Sequence, residues 1–487
     1  MTTPYIEQPP PPAALLFAIR SIGYSFEMAV ADIIDNSISA HAKEINIYSE
    51  PSSNPFFCFL DNGIGMDFDE LRNAMQLGSS REQKMISPME LGRYGMGLKS
   101  ASLSQCRAFS VISKKNDRIS AMSFDIDLIE KKKQWLLEVL SEEQYKTMPC
   151  YEKLHSLSSG TLVIWRNFDK IECASRKFEE TFRKNVSLAK SHVEFVFHRF
   201  YEKINIYFNE VRIEKRDPFL LNSYGRQQQG RPLPILLNGH TVLISPYTLP
   251  YSNSLTTEEK RLLGNPRSIY DEQGLYLYRN ERLIAWGSWF HTEIRSELNK
   301  LARVQVDIPS ALDDIWMLDV KKASAKIPDK IKEQIRIAVN DSTARSHGTL
   351  RHSGLKELGT QNNIWQRIIS PDKVSVSYKL NPANPLLLQL RSKLDASELL
   401  LLDKFIKQAE NFIPKNSIHH DECQDITILN SDDKSMQAKE DELLDLVRGS
   451  SHDSSTQIKL LECFLKSQAY EVLLPKKETL LERLLHE

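Results

Sequence analysis

Asp32-Ile33-Ile34-Asp35-Asn36-Ser37-Ile38-Ser39-Ala40-His41-Ala42 closes a helical pattern that begins at Phe26. Val30, Ile33, Ile34 and Ile38 recur at helical spacing and predict a face packed on a sheet. Asp32 and Asn36 stand four residues apart, so they share one face of that helix. A carboxylate beside a carboxamide can do two jobs. The Asn36 side-chain oxygen can ligate Mg²⁺, a hard cation that prefers oxygen and keeps several waters. Asp32 can hold and polarise a water for attack on a γ-phosphate. On its own the pair is more simply a solvated helix face.

Two further stretches change the weight of that pair. Leu60-Asp61-Asn62-Gly63-Ile64-Gly65-Met66 puts a carboxylate at the end of an apolar run, followed by two glycines two apart. Such a turn lets a flat ring approach closely, and Asp61 can accept a hydrogen bond from an exocyclic amine such as that of adenine. Gly92-Arg93-Tyr94-Gly95-Met96-Gly97-Leu98-Lys99-Ser100 leads three glycines into a helical stretch carrying Lys99. Backbone N–H groups of such a loop, with a helix N-terminus behind them, bind phosphate oxygens. The Walker pattern is absent from this loop.

Taken in order, these elements resemble the GHKL ATPases, a family that includes DNA gyrase B, the large heat-shock chaperones, histidine kinases and MutL. Asp32–Asn36 resembles its Asn box, Asp61–Met66 its first glycine box and Gly92–Ser100 its second. Ser159-Gly160-Thr161 resembles the later Gly-Thr element behind the adenine. The nearest likeness is to the MORC and MutL branch, including bacterial MORC-like ATPases. Asp35–Ala42 is similar to the turn of MutL, and Gln76-Leu77-Gly78-Ser79-Ser80 to the short lid segment of MORC proteins. Leu318-Asp319-Val320-Lys321-Lys322-Ala323-Ser324 is similar to the transducer segment whose lysine reaches the γ-phosphate, and the sequence does not choose between Lys321 and Lys322.

The resemblance implies a nucleotide site. Asn36, Asp61, Gly63, Gly65, Met66, Gly92, Tyr94, Gly95, Met96, Gly97, Leu98, Lys99 and Thr161 would hold ATP, with Asn36 on Mg²⁺. Asp32 would be the base, and Lys321 or Lys322 would join it at the γ-phosphate. Two departures stand out. The family base is usually Glu, and Asp32 shortens the reach by roughly 1.5 Å. Misplacement of about 1 Å can cost about 10²-fold in rate, so slow turnover is expected. Ser39 stands where MutL-like sequences carry Asp.

The chain of 487 residues has room for several domains. Its fold class is read as α/β, an α+β sandwich with helices on one face of a mixed sheet. The GHKL (Bergerat-type) domain is placed at 1–172, a transducer-like α/β domain at 173–345, and a helical interaction region at 346–487. Asp395 with Glu398 marks a helix start there, followed by an apolar stripe through Leu399, Leu402, Ile406, Ala409 and Phe412. The 63 basic and 64 acidic residues nearly balance, which argues against a dedicated nucleic-acid coat but leaves room for a local basic groove. Six cysteines stand at no zinc-finger spacing. His419-His420-Asp421-Glu422-Cys423 is more simply a polar loop than a metal cluster. Tyr278-Arg279-Asn280 and Trp286–Trp289 could touch nucleic acid, with core packing the simpler reading. No secretory leader or spanning segment is read, so a cytoplasmic protein without a membrane partner is expected.

The expected function is an ATP hydrolase working as an ATP-gated homodimeric clamp. Its lid would span Met75–Pro88. DNA is the expected cargo, beside a bacterial restriction or anti-phage system, with a nuclease or helicase as partner on the C-terminal region. The alternative is a nucleotide-sensing scaffold that binds ATP with little hydrolysis and regulates a partner protein.

Overall fold

The computed structural model describes residues 10–21, 23–76, 97–174, 177–221, 228–250, 255–263, 269, 271–316, 327–358, 364–369, 376–413, 436–448, 453–465 and 470–486. The chain forms two compact units, Met1–Ala344 and Arg345–Glu487.

The first unit opens with α1 (Pro12–Arg20) and α2 (Phe26–Ser39). The hairpin β1 (Glu44–Glu50) and β2 (Phe56–Asp61) follows, then α3 (Phe68–Met75) and α4 (Gly97–Gln105). Next come β3 (Ala108–Lys115), β4 (Arg118–Asp125), α5 (Ile126–Lys132), β5 (Glu138–Val139), α6 (Glu142–Lys146) and α7 (Tyr151–His155). The strand β6 (Gly160–Arg166), α8 (Asp169–Ala174), α9 (Phe178–Val196), β7 (Asn205–Phe208) and β8 (Val211–Arg212) complete the part of this unit built on its first sheet. The strands lie in the order β5-β4-β3-β6-β2-β1-β7-β8. Neighbours run antiparallel except β1 and β7, which are parallel. This sheet therefore extends beyond residue 172 and takes α9 as a covering helix.

Strand alternation explains both faces. Phe57, Phe59, Phe109, Val111, Val163 and Trp165 point to the side covered by α2, α4 and α9. There Phe26 meets Phe57 edge-on at 5.2 Å, and Phe57 stacks on Trp165 at 5.7 Å. Truncating any of these aromatics to Ala would cost about 3–5 kcal/mol. Trp165 Nε1 donates to Ser102 Oγ at 2.8 Å, which ties β6 to α4. Cys58, Leu60, Ile112, Leu162 and Ile164 point the other way, against Leu140 and Leu154 of the segment carrying α6 and α7. The expectation of helices on one face is thus incomplete. An all-apolar strand such as Phe56–Leu60 needs cover on both sides.

The second sheet uses β9 (Gln228–Gln229), β10 (Leu233–Leu237), β11 (His240–Thr248), β12 (Gly274–Arg279), β13 (Arg282–Ser288) and β14 (Ala302–Ile308). Its order is β10-β11-β14-β12-β13, with β9 on β11. Leu275, Leu277, Val304 and Val306 face the helix Lys332–Leu358 through Ile335 and Val339. Tyr276, Tyr278 and Tyr247 face the opposite way and join the core that includes Phe195 and Phe197. Both sheets therefore share one continuous core, with α9 and the residues after it between them. The aromatics of 278 and 289 are core residues, as the simpler reading held.

The two-residue turns at Asn116-Asp117, Asn209-Glu210, Asn238-Gly239 and Asn280-Glu281 all hold left-handed φ. Asn tolerates that conformation, and such turns match the twist of a hairpin.

The second unit is mostly helical. Its core gathers Leu443, Leu444 and Val447 of Met436–Arg448, Leu461 and Phe464 of Ser454–Leu465, and Leu480 and Leu484 of Lys477–His486. The helix Ala396–Asn411 carries the expected capping box of Asp395 and Glu398, but none of its residues is fully buried. An antiparallel pair of strands, Trp365–Ile369 with Val376–Leu380, accompanies the helices of the expected helical region. No helix among the described residues is long and apolar enough to cross a membrane.

Candidate nucleotide site

Asp61 ends β2 beneath α2. Its Oδ2 accepts from Ser37 Oγ at 2.9 Å and its Oδ1 from the Gly63 N–H at 2.9 Å. Burial pushes the Asp61 carboxyl above its ordinary range, and the bonds from Gly63, Ser37 and Thr161 pull the other way. Thr161 stands opposite Asp61 on β6, and its hydroxyl shares a 2.9 Å hydrogen bond with Ser113. Ser113 Oγ also accepts from the Met66 N–H at 2.8 Å. Asp61, Ser37, Thr161, Ser113 and Met66 thus form one polar floor. A carboxylate there can accept a hydrogen bond from an amine delivered on a flat ring.

The glycines serve the protein's own backbone. Gly65 has φ +67°, and a Cβ there would lie 2.0 Å from the Lys114 carbonyl oxygen. At Gly63 a Cβ would crowd Ala40 at 2.8 Å and Asp61 Oδ1 at 2.9 Å. For Gly65 the close neighbour is Lys114 of β3, and for Gly63 it is Ala40, which follows α2, with Asp61 of β2.

On α2, Asn36 is exposed, and its Nδ2 donates to the Asp32 carbonyl at 3.0 Å. That leaves the carboxamide oxygen as the cation ligand this residue can offer. Asp32, one turn earlier, is buried. Tyr24 donates its hydroxyl to Asp32 Oδ2 at 3.0 Å. Arg282 Nη2 donates to Asp32 Oδ1 at 3.3 Å, and Arg282 Nη1 lies 2.9 Å from Asp35 Oδ2. Burial first, and the Asp32 charge second, push the Tyr24 hydroxyl far above its ordinary range, so it remains a donor at neutral pH. Neither Tyr24 nor Arg282 was flagged by sequence. Arg282 is 250 residues from Asp32, and no periodicity or motif links them.

Lys99 is 1% exposed, and its Nζ donates to the Ala74 carbonyl at 2.9 Å, in the last turn of α3. Leu98 packs against the core, and among the described residues a Cβ built on Gly97 would meet nothing within 4 Å. Gly92, Tyr94, Gly95 and Met96, residues 77–88 of the expected lid, and Lys321 and Lys322 lie outside the described residues, as does the 419–423 cluster. Among the described residues no group of three His, Cys, Asp or Glu could hold a metal.

Comparison with known proteins fits this arrangement. Residues 24–161 match the family described as "Histidine kinase-, DNA gyrase B-, and HSP90-like ATPase". A 98-residue stretch, 19% of the chain, is 39% identical to mouse "ATPase MORC2B" and 35% identical to human "ATPase MORC2". A 95-residue stretch is 30% identical to "ATPase morc-1" of Caenorhabditis elegans. These stretches cover 10%, 9% and 11% of the respective relatives, so the likeness spans about a tenth of their length.

Proposed function

Residues 24–161 are a GHKL ATPase domain of the MORC-like kind, and from that premise we propose that the chain binds Mg-ATP and hydrolyses it slowly. The observation that carries this reading is the joint placement of Asn36, Asp32 and Asp61. One helix presents an exposed carboxamide one turn from a buried carboxylate, and Ser37 of the same helix is bonded to Asp61. Asp61 receives the adenine amine. Asn36 offers its oxygen to magnesium, which when bound would neutralise phosphate charge. Asp32 orients and deprotonates the attacking water. Lys99 with the loop before it, and Lys321 or Lys322, would meet the phosphates.

ATP closes two copies of the chain into a symmetric clamp, and loss of the γ-phosphate reopens it. The clamp works on DNA in the cytoplasm, in a bacterial defence setting, with a nuclease or helicase on residues 346–487. Light scattering with and without a non-hydrolysable ATP analogue tests the gate, on wild type and Asn36→Ala. A doubled mass in wild type alone supports it. An unchanged mass despite nucleotide binding overturns it.

One observation favours a second reading, a nucleotide-sensing scaffold with little turnover. Asp32 is shorter than Glu, and both its oxygens already accept hydrogen bonds. Phosphate release separates the two readings. Turnover lost in Asp32→Asn supports the enzyme; no turnover in wild type supports the scaffold.

A further inference from the structure

Asp32 and Asp35 lie one turn apart on α2, and both are buried beside a single cation. The Arg282 side chain is 6% exposed, against 10% for Asp32 and 4% for Asp35. Two carboxylates on one buried helical turn repel each other, and a guanidinium presented as a fork can face both at once. That fork comes from another sheet. Arg282 is the first residue of β13, immediately after the turn Asn280-Glu281, whose φ values are 46° and 68°.

The other side of the same turn is anchored as well. Arg279, the cross-strand partner of Arg282, donates from Nε to both oxygens of Asp313, at 2.8 and 2.9 Å. Asp313 begins the helix Asp313–Trp316, a few residues ahead of Lys321 and Lys322 in sequence. Glu281 at the tip pairs with Lys203. Three charged residues at this turn, Arg279, Glu281 and Arg282, are therefore each held in ion pairs. One holds α2, one holds the chain that leads toward the lysine pair, and one holds the segment after α9.

We infer that Arg282 is a positioning residue for Asp32: the second sheet supplies the guanidinium that sets the orientation of the base on α2, so that hydrolysis depends on the β12–β13 hairpin being docked. This rests on the reading of Asp32 as the base in ATP hydrolysis. Tyr24 holds one oxygen of that carboxylate and Arg282 the other, so the plane of the carboxylate is fixed by two donors from different elements. Losing the Arg282 donor removes one of the contacts that orient this carboxylate. The Arg282–Asp32 contact touches neither Asp61 nor Asn36, so nucleotide affinity is carried separately.

The test measures phosphate release against ATP concentration on the full chain, for wild type, Asp32→Asn, Arg282→Lys and Arg282→Met. Affinity for a non-hydrolysable analogue and near-ultraviolet circular dichroism are followed in parallel. The expected result is a fall in kcat of about 10²-fold for Arg282→Met, on the scale of a misplaced catalytic group. Arg282→Lys, which keeps the charge and loses the fork, falls about 10-fold. KM and analogue affinity stay within about threefold of wild type, as expected when ground-state binding is untouched. If Arg282→Met does not fold, Arg282→Lys decides: a folded Lys variant with wild-type kcat overturns the inference. So does a folded Met variant with wild-type kcat, or one that loses analogue affinity and kcat together, while Asp32→Asn is inactive. In those cases the hydrolysis reading survives. Absence of turnover in wild type, or full turnover in Asp32→Asn, removes the base and this role with it.

Discussion

Ser37 Oγ donates to Asp61 Oδ2 at 2.9 Å, joining the helix that carries Asn36 to the end of the strand that would receive adenine. The two residues are 24 apart in sequence, and one hydrogen bond makes them a single unit. Ser37→Ala leaves a buried carboxylate oxygen without its donor, which costs about 1–3 kcal/mol. The expected outcome is a lower melting temperature and about tenfold weaker ATP binding, read by thermal denaturation and titration calorimetry.

Asp61 itself should behave oppositely in folding and in binding. Burial raises its carboxyl above the ordinary 3.8. The charged form is the disfavoured one. Its contribution to folding is therefore fully present below the unfolded value and is lost as pH rises through the raised native value. Asp61→Asn removes that dependence. Its stability should decline less than that of wild type as pH rises through the acid range, while ATP binding is lost at neutral pH. Denaturant melts across pH, with ATP titrations at neutral pH, check both halves. Equal pH slopes in the two proteins would contradict the burial argument.

Gly65→Ala meets both a left-handed backbone and the Lys114 carbonyl at 2.0 Å. Strain at such a position costs about 1–3 kcal/mol before the clash is counted. The variant is expected to lose several degrees of melting temperature, and normal stability would mean the turn can reshape.

Asp32→Glu tests reach against packing. The longer side chain restores the usual length of the base, and turnover should rise about tenfold if reach limits it. The added methylene enters a buried site beside Arg282 and Tyr24, at a cost of about 1–3 kcal/mol. Phosphate release and a melt on one preparation measure both effects. Unchanged turnover would show that reach is not limiting.

Asp313→Ala removes one partner of a buried pair whose side chains are 6% and 9% exposed. Removing one member of such a pair should cost about 3–5 kcal/mol. A double-mutant cycle with Arg279→Met should recover much of that loss. Additive single effects would mean that the two side chains do not interact.

What could be read in the sequence was local. The helical stretch carrying Lys99 and the capping box of Asp395 and Glu398 both follow from neighbours within a few residues. The sandwich architecture followed from the order of helix and strand signals. Asn238-Gly239 carries a plain hairpin signal of the same local kind, and it joins β10 to β11. The helix α9 was hidden for a different reason: Lys177 at its start makes no side-chain cap, so no boundary signal precedes Phe178. The Arg282 contact was out of reach in principle. Its partners lie on α2, about 250 residues earlier, and an arginine next to a turn ordinarily reads as a solvated charge.

The parallel pairing of β7 against β1 has a practical bearing on how this molecule can be cut. Ile45 and Ile47 lie opposite Ile206 and Phe208. A fragment that stops at residue 172 would strip away that neighbour, together with Phe182, whose ring packs on Phe26 and Phe57, and Val193 of the same core. Such a fragment would retain the motif residues through Thr161 and present a sticky open strand edge to solvent. An expression clone for nucleotide-binding work should therefore run past Ile213, whose N–H bonds to the Ile206 carbonyl, and include the second sheet, whose Tyr276, Tyr278 and Leu283 complete the same core and whose Arg282 faces Asp32 and Asp35.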